Sequence, residues 1–266
     1  MFLSLLSLPA QDLLVHYPLN EGSGLSSKDH GPSGLDLTIG SDMGWAVAGS
    51  GVGGGSALGR VGDSEVFAKN GEVNGAIDQL TSYTITGWYK LSELEKNGVI
   101  IDLLAEEGNG CQIHFARKVD EADGKTKQSL VLVVGPEGTN PHTGPGVRYS
   151  LWDAPYGQLD QWIFFAVTVD ALATTNQITF YAGSETEPVK ALGGRFTLGE
   201  GVDPSRYALG RIREIGIGDH GGSQVRSPIN LGTYFNDFRF YGAVGTNAGA
   251  LLEKALEEIR VDDLSR

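Results

Sequence analysis

Apolar and polar positions along this chain alternate in short runs. In Tyr83-Thr84-Ile85-Thr86-Gly87-Trp88-Tyr89-Lys90, the polar Thr84, Thr86 and Lys90 share one parity. Tyr83, Ile85 and Tyr89 share the other. A period of two places the two sets on opposite faces of a half-buried strand. Similar runs recur at Leu13–Leu19, Leu35–Ile39, Ser56–Val61, Val99–Leu104, Gln112–Arg117 and Ser129–Val134. They continue at Val147–Trp152, Trp162–Asp170, Gln177–Ala182, Tyr207–Gly210 and Tyr234–Tyr241. These runs are rich in Val, Ile, Thr and aromatic residues, as strands are. Gly, Pro, Asn or Asp separates nearly all of them. Val131–Val134 is apolar throughout, which predicts a strand covered on both faces. One helix is predicted, because Leu251, Leu252, Ala255, Leu256 and Ile259 recur at helical spacing after a capping residue, Asn247. Its other positions, Glu253, Lys254, Glu257 and Glu258, form a solvated face. A short terminal helix of this kind is expected to pack on the outside of a sheet. The pattern therefore predicts an all-β protein, a two-sheet antiparallel jelly-roll sandwich with a short C-terminal helix.

Composition supports that reading. The chain has 39 Gly among 266 residues, about twice the ~7% of average usage. Each Gly inside a helix costs about 1 kcal/mol relative to Ala, so the excess belongs in turns. With 40% hydrophobic and 20% charged residues, the chain is not of a disordered composition. The formal net charge is −13, and no Lys/Arg patch is visible, which argues against nucleic acid as a partner. The single cysteine, Cys111, cannot form an internal disulfide and is expected to pack as a small apolar residue.

Phe2–Leu8 is an apolar run followed by Pro9, Ala10 and Gln11. It reads as the second half of a secretory signal with cleavage after Ala10. It lacks a leading Lys or Arg and falls short of the usual ~15–30 residues. An N-terminal strand or irregular start is the alternative. Residues 1–10 are thus set apart as a signal remnant and 11–266 as one domain. No other stretch approaches the ~18 apolar residues of a membrane span.

Several segments also fall into a recognisable order. They are His16-Tyr17-Pro18-Leu19-Asn20-Glu21-Gly22-Ser23-Gly24, Asp29-His30-Gly31-Pro32-Ser33-Gly34, Ser82 to Lys90, Gln161 to Asp170, Phe180-Tyr181-Ala182-Gly183 and Phe235-Asn236-Asp237-Phe238-Arg239-Phe240-Tyr241, followed by the terminal helix. Together they resemble the laminin G-like, concanavalin A-like jelly-roll family of bacterial secreted and surface proteins. The resemblance runs from about Leu13 to Ile259. It implies a secreted, periplasmic or cell-surface location. It also implies a structural calcium ion held by Asp29, a carbonyl near Gly34, and Asp237. Calcium takes six to eight oxygen ligands, so such a site would join distant parts of the chain. Asn236 stands where the family often has another Asp.

The same family includes glucanases, which place acidic residues alternately on one strand. The nearest stretch here is Glu214-Ile215-Gly216-Ile217-Gly218-Asp219, with Gly216 in the middle position. Glu214 and Asp219 have opposite parity, and Asp102 and Glu106 resemble no known pair. No catalytic residue is assigned. Gly49-Ser50-Gly51-Val52-Gly53-Gly54 fits a dinucleotide fingerprint by letter, but no βαβ unit surrounds it. The five histidines show no close pairing and predict no zinc site. Asp120 to Lys125 reads as a solvated hairpin tip.

Binding residues are therefore sought on long loops. Gly135 to Tyr156 carries His142, Tyr149, Trp152 and Tyr156, the candidate ligand-binding residues. Arg211 to Arg226 is a second stretch, with Arg213, Asp219, His220, Gln224 and Arg226 among glycines. The expectation is a non-catalytic recognition or adhesion domain that binds a glycan or another cell-surface component. A glycan hydrolase or lyase, and a purely structural interaction module, are the alternatives. The oligomeric state is left open.

Overall fold

The computed structural model describes residues 11–63, 67–73, 75–136, 147–151, 155–192, 196–197, 207–219, 228–243 and 250–266. Sixteen strands are present among them. They are β1 (Asp12–Tyr17), β2 (Ser26–Ser27), β3 (Leu37–Ile39), β4 (Met43–Trp45), β5 (Leu58–Arg60), β6 (Ala68–Asn70), β7 (Ser82–Lys90) and β8 (Val99–Glu107). Then come β9 (Asn109–Val119), β10 (Thr126–Pro136), β11 (Val147–Leu151), β12 (Trp162–Asp170), β13 (Ile178–Ser184), β14 (Lys190–Ala191), β15 (Arg211–Ile217) and β16 (Tyr234–Ala243). The α-helix among the described residues, α1, is Glu253–Leu264.

The strands form two sheets. The first runs β14-β13-β12-β7-β16-β5-β4, with β1 paired to β16. The second runs β11-β10-β9-β8-β15-β6-β3-β2. Every pairing between these strands is antiparallel. Between the sheets lies one apolar core, built from alternate positions. Ile85, Tyr89, Phe165, Val167, Phe180 and Phe238 come from the first sheet, and Leu103, Ile113, Phe115, Leu130, Leu132 and Ile215 from the second. The period of two thus sorts the side chains onto two faces, but β7 is not half-buried as its alternation predicted: Thr84 and Thr86, on the other parity, are buried as well.

The opposite parity of the first sheet is also apolar. Trp88, Trp162, Phe164 and Tyr181 turn outward and pack with Leu251 and Leu256 at the helix. Trp88 and Phe164 meet edge to face, with centroids 5.4 Å apart. The helix covers this face, as expected of it. Its start differs: α1 begins at Glu253, Leu252 precedes it without a side-chain cap, and Leu252 is exposed. Asn247 lies outside the described residues.

Two acidic residues of α1 also close the first sheet's edge. The N–H groups of Val189 and Ala191, which flank and end β14, donate to Glu257 Oε2 at 2.8 Å and Glu253 Oε2 at 2.7 Å. Val131 and Val133 are buried and form a small cluster with Ala116 apart from the main core, so β10 is covered on both faces. Cys111 is buried. Residues Tyr207–Gly210 are not a strand; the strand begins at Arg211, within what the sequence read as a loop. The cause is irregular pairing. Register shifts at Arg211/Ile212 and Ile212/Glu214 break the alternation that marks a strand in sequence.

Candidate functional site

β15 lies between β8 and β6 in the second sheet. Gly216 pairs with Asp102 on one side and Lys69 on the other. Asp102 pairs in turn with Gln112, and Gln112 with Val133. Directly opposed residues share a face, so Lys69, Gly216, Asp102, Gln112 and Val133 form one row on the side away from the core. Glu214, two residues from Gly216, lies on the same face and is diagonal to Asp102. Burial raises the Glu214 carboxyl above the usual range; Lys69 opposes this, Asp102 adds to it and Arg213 opposes it.

Next to Glu214 the face opens into a cleft of about 620 Å³. It is lined by Gly71, Gly75, Asp78, Glu106, Arg211, Ile212 and Arg213. Beside it β6 ends at Asn70 and is followed by Gly71, which lines the cleft. A Cβ added at Gly71 would lie 3.7 Å from Glu214 Oε2, in ordinary contact, so this glycine borders that carboxylate. Gly75 has φ +79°, a conformation that favours glycine. Arg211 and Asp78 face each other at 3.6 Å across partly exposed side chains. The cleft therefore presents guanidinium donors and carboxylate acceptors within one concave space.

The residues predicted for ligand binding lie elsewhere. Trp152 and His142 fall outside the described residues. Tyr156 is wholly buried; its hydroxyl donates to the Tyr181 carbonyl at 3.2 Å, so it offers no exposed platform. Tyr149 pairs with Leu132, a core position, and shares its inward parity. Its ring packs on Phe196 at 4.9 Å, and its hydroxyl meets that of Tyr207 at 2.8 Å. Both tyrosines have structural places, because their rings fill the sandwich edge and interior. Of the second stretch, His220, Gln224 and Arg226 lie outside the described residues, while Arg213 lines the cleft and Asp219 is buried.

The residues assigned to calcium do come near one another, through His16. Asp29 Oδ1 accepts the N–H groups of His16 at 2.9 Å and Gly31 at 2.7 Å, and its Oδ2 accepts that of Leu35 at 2.9 Å. The turn that contains Gly34, at φ +65°, is thus folded around the Asp29 carboxylate. Asp237 sits at a register shift of β16 with φ +51°. Its Oδ1 meets His16 Nε2 at 2.8 Å and Arg239 at 2.9 Å, and its Oδ2 meets Arg266 at 3.1 Å. Asn236 directs its amide nitrogen at the carbonyls of Pro18 (3.0 Å), Leu19 (3.2 Å) and Ser56 (3.0 Å). An Asp there would set a carboxylate against three carbonyls.

This donor set does not fit calcium. One carboxylate is occupied by backbone N–H groups and the other by two guanidinium groups, and an amide fills the space among the carbonyls. Among the described residues, no three His, Cys, Asp or Glu side chains converge as a metal group would. Charge at this end is instead balanced within the chain. Asp263, near the end of α1, accepts the Trp88 indole N–H at 2.8 Å and Arg239 at 2.6 Å. Burial nonetheless raises its carboxyl above the usual range.

No family model and no curated protein matches the chain. Solved structures do. Domain 4 of AbnA, a GH43 extracellular arabinanase from Geobacillus stearothermophilus, in complex with arabinotriose, aligns with TM-score 0.54 and 18% identity over 94% of this chain and 98% of that domain. A GH54 α-L-arabinofuranosidase soaked with a cyclic sulfate inhibitor aligns with TM-score 0.56 and 12% identity over 90% of this chain and 50% of that one. The botulinum neurotoxin serotype G binding domain aligns with TM-score 0.52 and 9% identity over 94% of this chain and 51% of that one. The fold is a two-sheet β-sandwich. This chain spans about half the length of the arabinofuranosidase and of the toxin binding domain. Among the described residues, no helix is long and apolar enough to cross a membrane.

Proposed function

We propose that the chain is a non-catalytic carbohydrate-recognition domain of the laminin G-like, concanavalin A-like kind, secreted or displayed at a cell surface. It takes a short stretch of glycan in the cleft between Asp78, Glu106, Arg211 and Arg213. The cleft carries this reading: it is concave, polar and of a size typical of ligand sites. Carboxylates accept and guanidinium groups donate, each at two atoms, so together they match neighbouring sugar hydroxyls. The likeness to an arabinanase domain crystallised with arabinotriose supports the same ligand class. The test is a glycan array read with the wild type and with the Arg211→Ala/Arg213→Ala variant. Binding by the wild type and at least tenfold weaker retention of the variant are expected. Equal retention would reject the site.

A second reading rests on Glu214 and Asp102, two carboxylates on one face of adjacent strands. In a hydrolase, Glu214, whose carboxyl burial raises, would give a proton to the leaving oxygen, with Asp102 as the second carboxylate of the pair. Release of reducing ends from a polysaccharide panel, abolished by Glu214→Gln, would favour this reading over simple recognition.

A further inference from the structure

Glu95 lies in the connection between β7 and β8 and is wholly buried. Its Oε1 accepts the N–H of Asn230 at 2.6 Å and the hydroxyl of Thr233 at 2.5 Å. Both donors belong to segment 228–233, which leads into β16. The other oxygen, Oε2, is buried and accepts no hydrogen bond. It lies so close to Gly98 that an added Cβ would come within 2.6 Å of it.

Further bonds join the same two segments. The Asn230 amide donates to the Leu94 carbonyl at 3.3 Å, and the Ser92 hydroxyl to the Leu231 carbonyl at 3.2 Å. The charged groups facing Glu95 are Glu93 on its own connection and Arg60 on β5. Arg60 does not bond to Glu95. Its guanidinium holds the carbonyls of Gly62 and Ile229 and the Asp63 carboxylate.

We infer that Glu95 is a proton-operated clasp, which fastens segment 228–233 to the β7–β8 connection when protonated and loosens it when ionised. The physical reason is the lone oxygen. A neutral carboxyl is far cheaper to bury than a carboxylate with one unpartnered oxygen. Burial accordingly pushes the Glu95 carboxyl up to about 7, with Glu93 adding to the rise and Thr233, Asn230 and Arg60 opposing it. When the clasp opens, the side chain returns to the ordinary glutamate value near 4.5. The closed form therefore keeps a proton that the open form loses between those two pH values. The clasp is tightest below about pH 4.5, weakens as pH rises to about 7 and is level above that. It sits before the start of β8, whereas Glu106 of the cleft is near that strand's end, so the clasp stands apart from the glycan reading.

Amide exchange of a peptide covering 228–233, corrected for intrinsic rates and followed from pH 4.5 to 7.5, tests this. In the wild type the opening constant is expected to rise by up to about tenfold per pH unit and to flatten near pH 7. In Glu95→Gln it is expected to stay flat. A flat wild-type profile, or the same slope in both proteins, would overturn the clasp. A carbon-13 titration of the Glu95 carboxyl in the wild type gives a second measurement that needs no variant. A midpoint near 7 supports the clasp, and one near 4.5 overturns it.

Discussion

The outward faces of the two sheets use the same pleat for different ends. On the first sheet, Trp88, Trp162, Phe164 and Tyr181 point away from the main core and meet α1. That face is apolar, covered, and fixed at its end by Asp263 binding Trp88 and Arg239. On the second sheet, the equivalent parity of β6, β8 and β15 carries Lys69, Asp102 and Glu214 and leads into a cleft lined by four charged side chains. The difference teaches where function has room. A face buried by its own chain cannot meet a ligand, and a charged cleft adds little to stability but much to recognition.

The comparison can be broken from the covered side first. Asp263→Ala leaves Arg239 buried with less of its counter-charge, and removing one member of a buried pair costs about 3–5 kcal/mol. Its urea midpoint is expected to fall accordingly; a loss below about 1 kcal/mol would show that the ionic end is not what fixes the helix. Leu256→Ala opens a cavity beneath α1 and is expected to cost about 2–5 kcal/mol by the same measurement.

On the other side, Arg211→Ala and Arg213→Ala are expected to shift stability by about 0.5 kcal/mol or less while weakening glycan binding. A large loss of stability instead would make the cleft a structural feature like the covered face. The smallest effect expected is none at all. Because the Asp29, Asn236 and Asp237 groups are occupied by the chain itself, chelation followed by calcium addition is expected to leave the melting temperature unchanged. A rise of several degrees with calcium would restore the ion, since a ligand of the folded state alone stabilises it.

Much of the fold was legible because β7 alternates polar and apolar residues at a period of two, and β12 is an apolar run bounded by polar residues, so each stands out in the sequence. The helix was legible for the same reason at its own period, though not its first residue, because Leu252 is apolar yet exposed. β15 was missed because its register shifts break the alternation. The short strands β2, β4, β6 and β14 carry too few residues to show a period.

The candidate site was only partly legible. Asp102, Glu106, Arg213 and Glu214 were all noticed as single residues, and Asp102 and Glu106 share a parity within β8. What joins them to Asp78 and Arg211 is the pairing of strands over a hundred residues apart, which no local spacing records. Chain order was also a poor guide at the ion cluster. Asp29 and Asp237 both meet His16, but Asp29 is held by backbone N–H groups and only Asp237 is held by Arg239 and Arg266. Those two arginines sit on β16 and past α1, where only the folded chain brings Arg266 to Asp237.

The two hydrogen bonds from Glu253 and Glu257 to β14 have a consequence for how molecules of this protein meet one another. The outermost strand of a sheet is a template on which a strand from another molecule can add. Here two of its donors are already satisfied by side chains, and the carboxylates beside them repel a further backbone carbonyl. A variant that sheds the terminal helix would thus uncover both an aromatic surface and an open strand side by side. Its failure would be expected to take the form of strand-to-strand association between copies rather than a simple loss of fold.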